Sequence, residues 1–273
     1  MTNPAPEPTT AIEDYLKTIY SLELDGEAVS TNALAERLGV RAASVSGMLK
    51  RLARSGLVEH QRYRGVRLTD RGRLVALEVI RHHRLLELFL VESLGMSWDQ
   101  VHAEADILEH HLSEQLEELI AAKLGQPTVD PHGDPIPTRE LTITQPETRD
   151  LYSIEPGEHA TFVRVSDSDP AMLQFLSERD IATGTTLEVV ERQPFDGPVY
   201  VRIGEDVHVL GATLARAMRV TSSPEQQAQV SPRQLATPSR AATAAIASAA
   251  TGSAHHQPAS ALASSPARSA IER

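Results

Sequence analysis

Apolar residues recur at helical spacing from Thr10 onward. In TAIEDYLKTIYSLELDG, Ile12, Leu16, Ile19 and Tyr20 share one face, and Gly26 ends the segment. STNALAERLGV reads as a short helix with Ser30 or Thr31 as N-cap, Leu34 and Leu38 inward, and Gly39 at the turn. A second short helix follows in RAASVSGMLKRLARSGLVEH, with Val45, Leu49 and Leu52 buried and Gly56 as its stop. LVEHQRYRGVRLTDRG alternates as a hairpin around a polar, Gly-containing tip. A long helix is predicted from about Asp70 to Leu94. Another begins in VHAEADILEHHLS (101–113), and Leu112, Leu116, Leu119 and Ile120 continue its period without a break to Gly125.

Beyond this the period changes. Positions 126–148 are Pro-rich, with PHGDPIP at 131–137, and read as a connector. Between 150 and 222 the short runs ATFVRV, TTLEVVER, VYVRIG and DVHVLG alternate with Gly, Pro and Asp turns and one helix, DPAMLQFLSERD. That pattern predicts a small β-barrel. The Pro-rich residues 1–9 and the Ala/Ser/Pro/Gln-rich residues 223–273 lack the large apolar side chains a core needs and are expected to be disordered. The fold class is α+β.

The chain has 273 residues and no cysteine, so neither a disulfide framework nor a thiolate metal site is open to it. With no signal-like or membrane-length apolar run, a cytoplasmic location without membrane attachment is expected. The net charge of −11 speaks against a nucleic-acid partner until its distribution is considered. Two short helices followed by a hairpin are the outline of a winged helix, and between 41 and 73 nine Lys/Arg face only Glu59 and Asp70. The exposed face of the second helix offers Arg41, Ser44, Ser46, Gly47 and Lys50. Arg62 and Arg64 flank the wing tip, and Thr31 and Arg51 complete the candidate DNA contacts.

A second constellation points to metal. His102, Asp106, Glu109 and His110 stand at i, i+4, i+7 and i+8, so an unbroken helix presents two imidazoles and two carboxylates on one face. His83 and Glu87 are i, i+4 on the preceding long helix, and Asp14 lies on the exposed side of the first. Nitrogen and oxygen donors without sulfur suit Mn(II) or Fe(II) better than a closed structural zinc site. A metallohydrolase would use the same donors, but HExxH, a nucleophile elbow and a phosphate loop are all missing. A metal-independent regulator sensing an organic ligand through the barrel is the third reading.

IEDYLKTIYSL, the winged helix, RHHRLLE, VHAEADILEHHLS and PHGDPIP, in this order, resemble the diphtheria toxin repressor and manganese transport regulator family over about 10–138. Residues 150–222 look like the SH3-like domain of its longer members. The resemblance implies a winged helix-turn-helix DNA-binding domain (10–72), a helical metal-binding and dimerisation domain (73–138), a linker (139–149) and the SH3-like domain (150–222). It implies one metal site of Asp14, Asp106, Glu109 and His110, and a second of His83, Glu87 and His102, with Asp169 as a barrel ligand beside Met172 where a glutamine is usual. Asp106 and Asp14 stand where iron-responsive members carry cysteine and methionine, which shifts the expectation from Fe(II) toward Mn(II). Lys17 replaces the second acidic residue of the short manganese regulators. The implied function is a metal-activated repressor, a homodimer on a palindromic operator. Leu108, Leu112, Leu116 and Leu119 are the candidates for its seam. Repulsion among Asp14, Glu87, Asp106 and Glu109 is expected to loosen the metal-free form.

Overall fold

The computed structural model describes residues 9–24, 26, 28–61, 65–166 and 169–222. Most of the expected N-terminal arm, the wing residues Arg62 and Arg64, and the tail 223–273 lie outside the described residues.

The N-terminal third is built as its apolar spacing dictates. Helices α1 (Thr10–Leu24), α2 (Thr31–Leu38) and α3 (Ala42–Arg54) are followed by the antiparallel pair β1 (Val58–Gln61) and β2 (Gly65–Leu68). Leu16, Ile19, Leu34, Val45 and Leu52 are fully buried at the centre. Ser30, not Thr31, caps α2 by accepting the Ala33 N–H, and Gly39 ends it in the left-handed region at φ 64°. Gly65 permits a close approach that anchors the wing. A Cβ there would stand 2.0 Å from the Val29 carbonyl oxygen.

Helix α4 (Asp70–Leu94) runs between a Thr69 N-cap and Gly95 at φ 70°, as its pattern predicts. The expected unbroken helix from 101 to Gly125 is not formed. Helix α5 (Val101–Leu108) gives way to a 3-10 turn at Glu109–His111, Leu112 is extended, and Ser113 caps a separate α6 (Glu114–Lys123). A Ser followed by Glu114 and Glu117 is an N-terminal signature that competes successfully with the continuing apolar period. The break divides the four candidate seam leucines. Leu108 and Leu112 pack half-buried against a core containing Leu85, Leu86, Leu88 and Ile120, whereas Leu116 and Leu119 are 48% and 61% exposed.

Residues 125–138 are more than a connector. The loop folds into a bridge between Val129 and Pro135, and Asp130 Oδ1 accepts the His132 and Asp134 N–H groups. Its Gly133 (φ 88°) lies so close to β4 that a Cβ would stand 1.8 Å from the Val163 carbonyl oxygen. From α4, Arg84 donates to the Pro135 carbonyl and to Asp134. The expected linker also returns to the first domain, where Leu141 and Ile143 pack against its core.

The C-terminal domain comprises β3 (Arg149–Asp150), β4 (His159–Arg164), α7 (Pro170–Ser177), β5 (Thr186–Arg192), β6 (Val199–Ile203), β7 (Asp206–Leu210), α8 (Ala212–Ala217) and β8 (Arg219–Ser222). The strands form one antiparallel sheet in the order β3-β8-β4-β5-β6-β7. Register shifts at Phe162/Arg164 and Val189/Glu191 mark bulges, which bend β4 and β5 around Phe162, Leu173, Leu187 and Val201. β3, α8 and β8 carry too little periodicity to be read in advance.

Candidate metal centre

Asp14, near the start of α1, meets the 3-10 turn. His110 Nε2 lies 2.9 Å from Asp14 Oδ1 and 3.4 Å from Glu109 Oε1, and the three residues form one compact donor group. His110 Nδ1 hydrogen-bonds to Glu13 Oε2 at 2.6 Å. A carboxylate behind the imidazole orients it and leaves Nε2 for a cation. The sequence reading passed over Glu13, although it precedes Asp14 directly.

The second group lies deeper, between α4 and α5. His83 Nε2 is 2.9 Å from Glu87 Oε1 and 3.0 Å from His102 Nδ1, and His102 Nδ1 is 3.1 Å from Glu87 Oε1. Asp106 belongs here rather than with Asp14. Its Oδ1 is 3.3 Å from His83 Nδ1 and its Oδ2 3.6 Å from His102 Nε2. The 3-10 turn causes this regrouping, because each residue in it advances about 120° instead of 100° and turns Glu109 and His110 off the His102–Asp106 face. Glu109 joins the two groups. Its Oε1 faces His110, and its Oε2 is 2.5 Å from His83 Nδ1 and 2.7 Å from Lys17 Nζ.

Asp169 is brought to neither group; its Oδ1 caps α7 by accepting the Ala171 N–H. His132, in the 131–137 loop, places Nε2 3.8 Å from Glu87 Oε1. A further group, Glu78, His82 and Glu114, has ligand-like spacing, but His82 is held by Glu117 at 3.0 Å and by the Glu109 carbonyl at 3.2 Å.

The charges interleave. Lys17 Nζ sits 2.7 Å from Glu109, 2.9 Å from Asp106 and 3.0 Å from His83 Nδ1. Burial works against its ammonium, but Glu109 and Asp106 outweigh that and raise its pKa. Burial likewise opposes protonation of His83, yet the Glu87 carboxylate and hydrogen bonds to Glu109 and Glu87 push its pKa up to about 9. Glu87 and Asp106 are lowered against their own desolvation, by His83 and by Lys17 respectively, while burial raises Asp14. The expected repulsion among four carboxylates is offset by the Lys17 ammonium and by His83, whose pKa its carboxylate neighbours raise.

The donors present fit a divalent cation. Asp14, Glu109 and His110 supply two carboxylates and an imidazole without sulfur, suited to a hard first-row ion. Glu87 Oε2 is buried without a hydrogen-bond partner, the state of a lone pair awaiting one. Of the candidate DNA contacts, Arg41 before α3 and Ser44, Ser46, Lys50 and Arg51 along it are exposed, while Thr31 is half-buried at the start of α2. Among the described basic residues, Arg67 pairs with Glu59, Arg73 with Glu23, and Arg71 donates to the Ser55 carbonyl.

Residues 8–66 match the iron dependent repressor N-terminal DNA binding domain, 69–138 the iron dependent repressor metal binding and dimerisation domain, and 149–222 the FeoA domain. The chain belongs to the diphtheria toxin repressor family of metal-dependent repressors. The diphtheria toxin repressor of Corynebacterium efficiens is 32% identical over 218 residues, 76% of this chain and 94% of that protein. The iron-dependent repressor IdeR of Mycobacterium tuberculosis is 42% identical over 125 residues, 46% of this chain and 54% of the relative, so this match spans about half of that relative's length. Among solved structures, a manganese-dependent transcriptional repressor in complex with manganese superposes with a TM-score of 0.73 at 42% identity, covering 78% of this chain and 100% of that one. The manganese regulator SloR gives 0.65 at 29% identity, covering 80% and 100%.

Proposed function

We propose that this chain is a Mn(II)-activated transcriptional repressor that binds DNA through α3 and the wing. It is not an enzyme, and it acts in the cytoplasm as a homodimer on a palindromic operator. The observation that carries this reading is the 2.9 Å approach of Asp14 on α1 to His110 beyond α5. Donors from the DNA-binding unit and from the helices that follow converge there, and a shared divalent cation supplies the positive charge that holds them together. Asp14, Glu109 and His110 then fix α1, and with it α3, against α4 and α5, while Glu13 keeps the His110 ring aimed. A 100-fold preference for that geometry is worth about 2.7 kcal/mol, sufficient to shift a balanced equilibrium almost completely.

The oxygen-rich donors favour Mn(II), with Fe(II) as the alternative within the same family. Leu116 and Leu119, exposed on α6, are the seam residues that intrachain packing leaves available. Among the described residues no helix is long and apolar enough to cross a membrane. The test is operator binding titrated with Mn(II) and, anaerobically, with Fe(II). Mn(II) is expected to activate at the lower concentration, and His110→Ala to remove activation while the circular dichroism spectrum is unchanged. Metal-independent binding, or an unaffected variant, overturns the proposal.

A further inference from the structure

We propose that His82, acting with Glu117 and Arg81, is a positioning residue that couples the turn carrying Glu109 and His110 to helix α6. This rests on reading the chain as a metal-activated homodimer, and names the side chains through which a cation at that turn is felt on α6. Arg81, His82 and Glu117 are all buried, and none belongs to the two donor groups around Glu109. Ionisable side chains are seldom buried unless each finds a partner, and here each does. His82 Nδ1 lies 3.2 Å from the Glu109 carbonyl oxygen, and Nε2 lies 3.0 Å from Glu117 Oε2. Arg81 Nε donates to Glu117 Oε1 at 2.6 Å, and a second Arg81 nitrogen donates to the Pro137 carbonyl at 2.7 Å. One chain of hydrogen bonds therefore runs from the backbone of the 3-10 turn, through α4, to α6 and the end of the 131–137 loop.

Without this chain the joint would be loose. The covalent path from the turn to α6 is only the extended Leu112 and the Ser113 cap, each with two soft backbone torsions. The His82 ring closes that freedom from behind. A carbonyl oxygen can only accept, and Glu117 accepts from Arg81 and His82 alike, so His82 donates from both ring nitrogens. Rotating the ring breaks both bonds together. The carbonyl it holds belongs to the peptide joining Glu109 to His110, so it sets where both donor side chains point. At the other end, Glu117 anchors the buried side of α6, whose outer side carries the exposed Leu116 and Leu119. A cation that fixes Glu109 and His110 thereby fixes α6, through bonds that use none of the donor atoms facing the cation.

The test measures the dimer dissociation constant of the full-length protein by analytical ultracentrifugation, without metal and with saturating Mn(II). In the wild type Mn(II) is expected to tighten the dimer by about 5- to 150-fold, the usual size of coupling between two sites. Two variants break the chain: His82→Leu removes both ring donors, and Glu117→Gln keeps the volume but not the charge that draws in Arg81 and His82. In both, the ratio of the two constants is expected to fall to about one, and linkage requires the dimer's Mn(II) affinity to fall by the same factor. That affinity is read by competition with a chelator. A merely structural role would lower the melting temperature and weaken the dimer equally with and without Mn(II), leaving the ratio at its wild-type value. Such a result overturns the proposal, as does a wild-type dimer indifferent to Mn(II), even where operator binding proves Mn(II)-dependent. Conversely, a ratio lost in the variants upholds it even if operator binding needs no metal. Should His82→Leu not fold, Glu117→Gln decides by the same ratio.

Discussion

The two donor groups share Glu109 and differ in almost everything else. The Asp14–Glu109–His110 group is two-thirds carboxylate, spans from the first helix to the turn after α5, and leaves the Asp14 side chain 43% exposed. The His83–Glu87–His102 group is mostly imidazole and lies within α4 and α5, with the His83 and Glu87 side chains 4% and 0% exposed. A half-open, oxygen-rich group that reaches from α1 to the turn after α5 can couple a bound cation to the position of α1. A buried, nitrogen-rich group between α4 and α5 would bind a cation without moving anything large and so would stiffen the two helices. Under the proposed function, switching falls to the first group and bracing to the second.

The sharpest way to break the comparison is to remove the residue both groups use. Glu109→Ala takes away Oε1 from His110 and Oε2 from His83 and Lys17 together. It is expected to lower Mn(II)-dependent operator affinity by at least about 100-fold, a loss of about 2.7 kcal/mol or more, measured by fluorescence anisotropy at fixed ionic strength. It should also weaken metal binding at the buried group, which His110→Ala leaves largely intact. If the two variants weaken both groups alike, the division drawn here is wrong.

The residues of both groups were legible because i, i+4 pairs such as His83/Glu87 and His102/Asp106 need only a helix to meet. Their grouping was not. Glu109 and His110 share a face with His102 only if the helix continues, and all that speaks against continuation is a single Ser113 cap inside an unbroken apolar period. Helices α1 to α4 were easier, since Ser30, Gly39, Thr69 and Gly95 punctuate them strongly. His132 had no helical partner to betray it. A lone histidine in a Pro-rich loop reaches Glu87, 45 positions away, only because Asp130, Val165 and Trp98 fix its ring. Lys17 was visible as a substitution, but its contact with three donors at once depends on how α1 packs.

Proton linkage should separate the groups next. His83 has a folded pKa of about 9 against an ordinary 6.5, so its charge stabilises the metal-free fold fully below pH 6.5 and that stabilisation is lost as pH rises through about 9. The melting temperature of the chelator-treated protein should therefore fall across this window. A metal at the buried group requires neutral imidazole, so Zn(II) affinity there should increase by up to about tenfold per pH unit over the same range. Calorimetry in buffers of different ionisation enthalpy would register the released proton. His83→Gln should flatten both profiles; profiles unchanged by this substitution would show that another group carries the charge.

The smallest effect tests whether Lys17 is a built-in cation. Its Nζ lies among Glu109, Asp106 and His83 at 2.7–3.0 Å and ties α1 to the same turn that Asp14 reaches. It is therefore expected to hold the junction when no metal is present and to compete electrostatically for Glu109 when one arrives. Lys17→Met keeps the stem packed and removes only the charge. Two opposite changes are expected: a lower melting temperature without metal, because Glu109 and Asp106 lose their counter-charge, and Mn(II) binding several-fold to about tenfold tighter, at most about 1.4 kcal/mol. The opposed signs are diagnostic, since general damage to packing would weaken both. Should Mn(II) bind no more tightly while the metal-free protein melts lower, Lys17 is a strut and not a competitor, and the oxygen-rich group acquires its cation without displacing one.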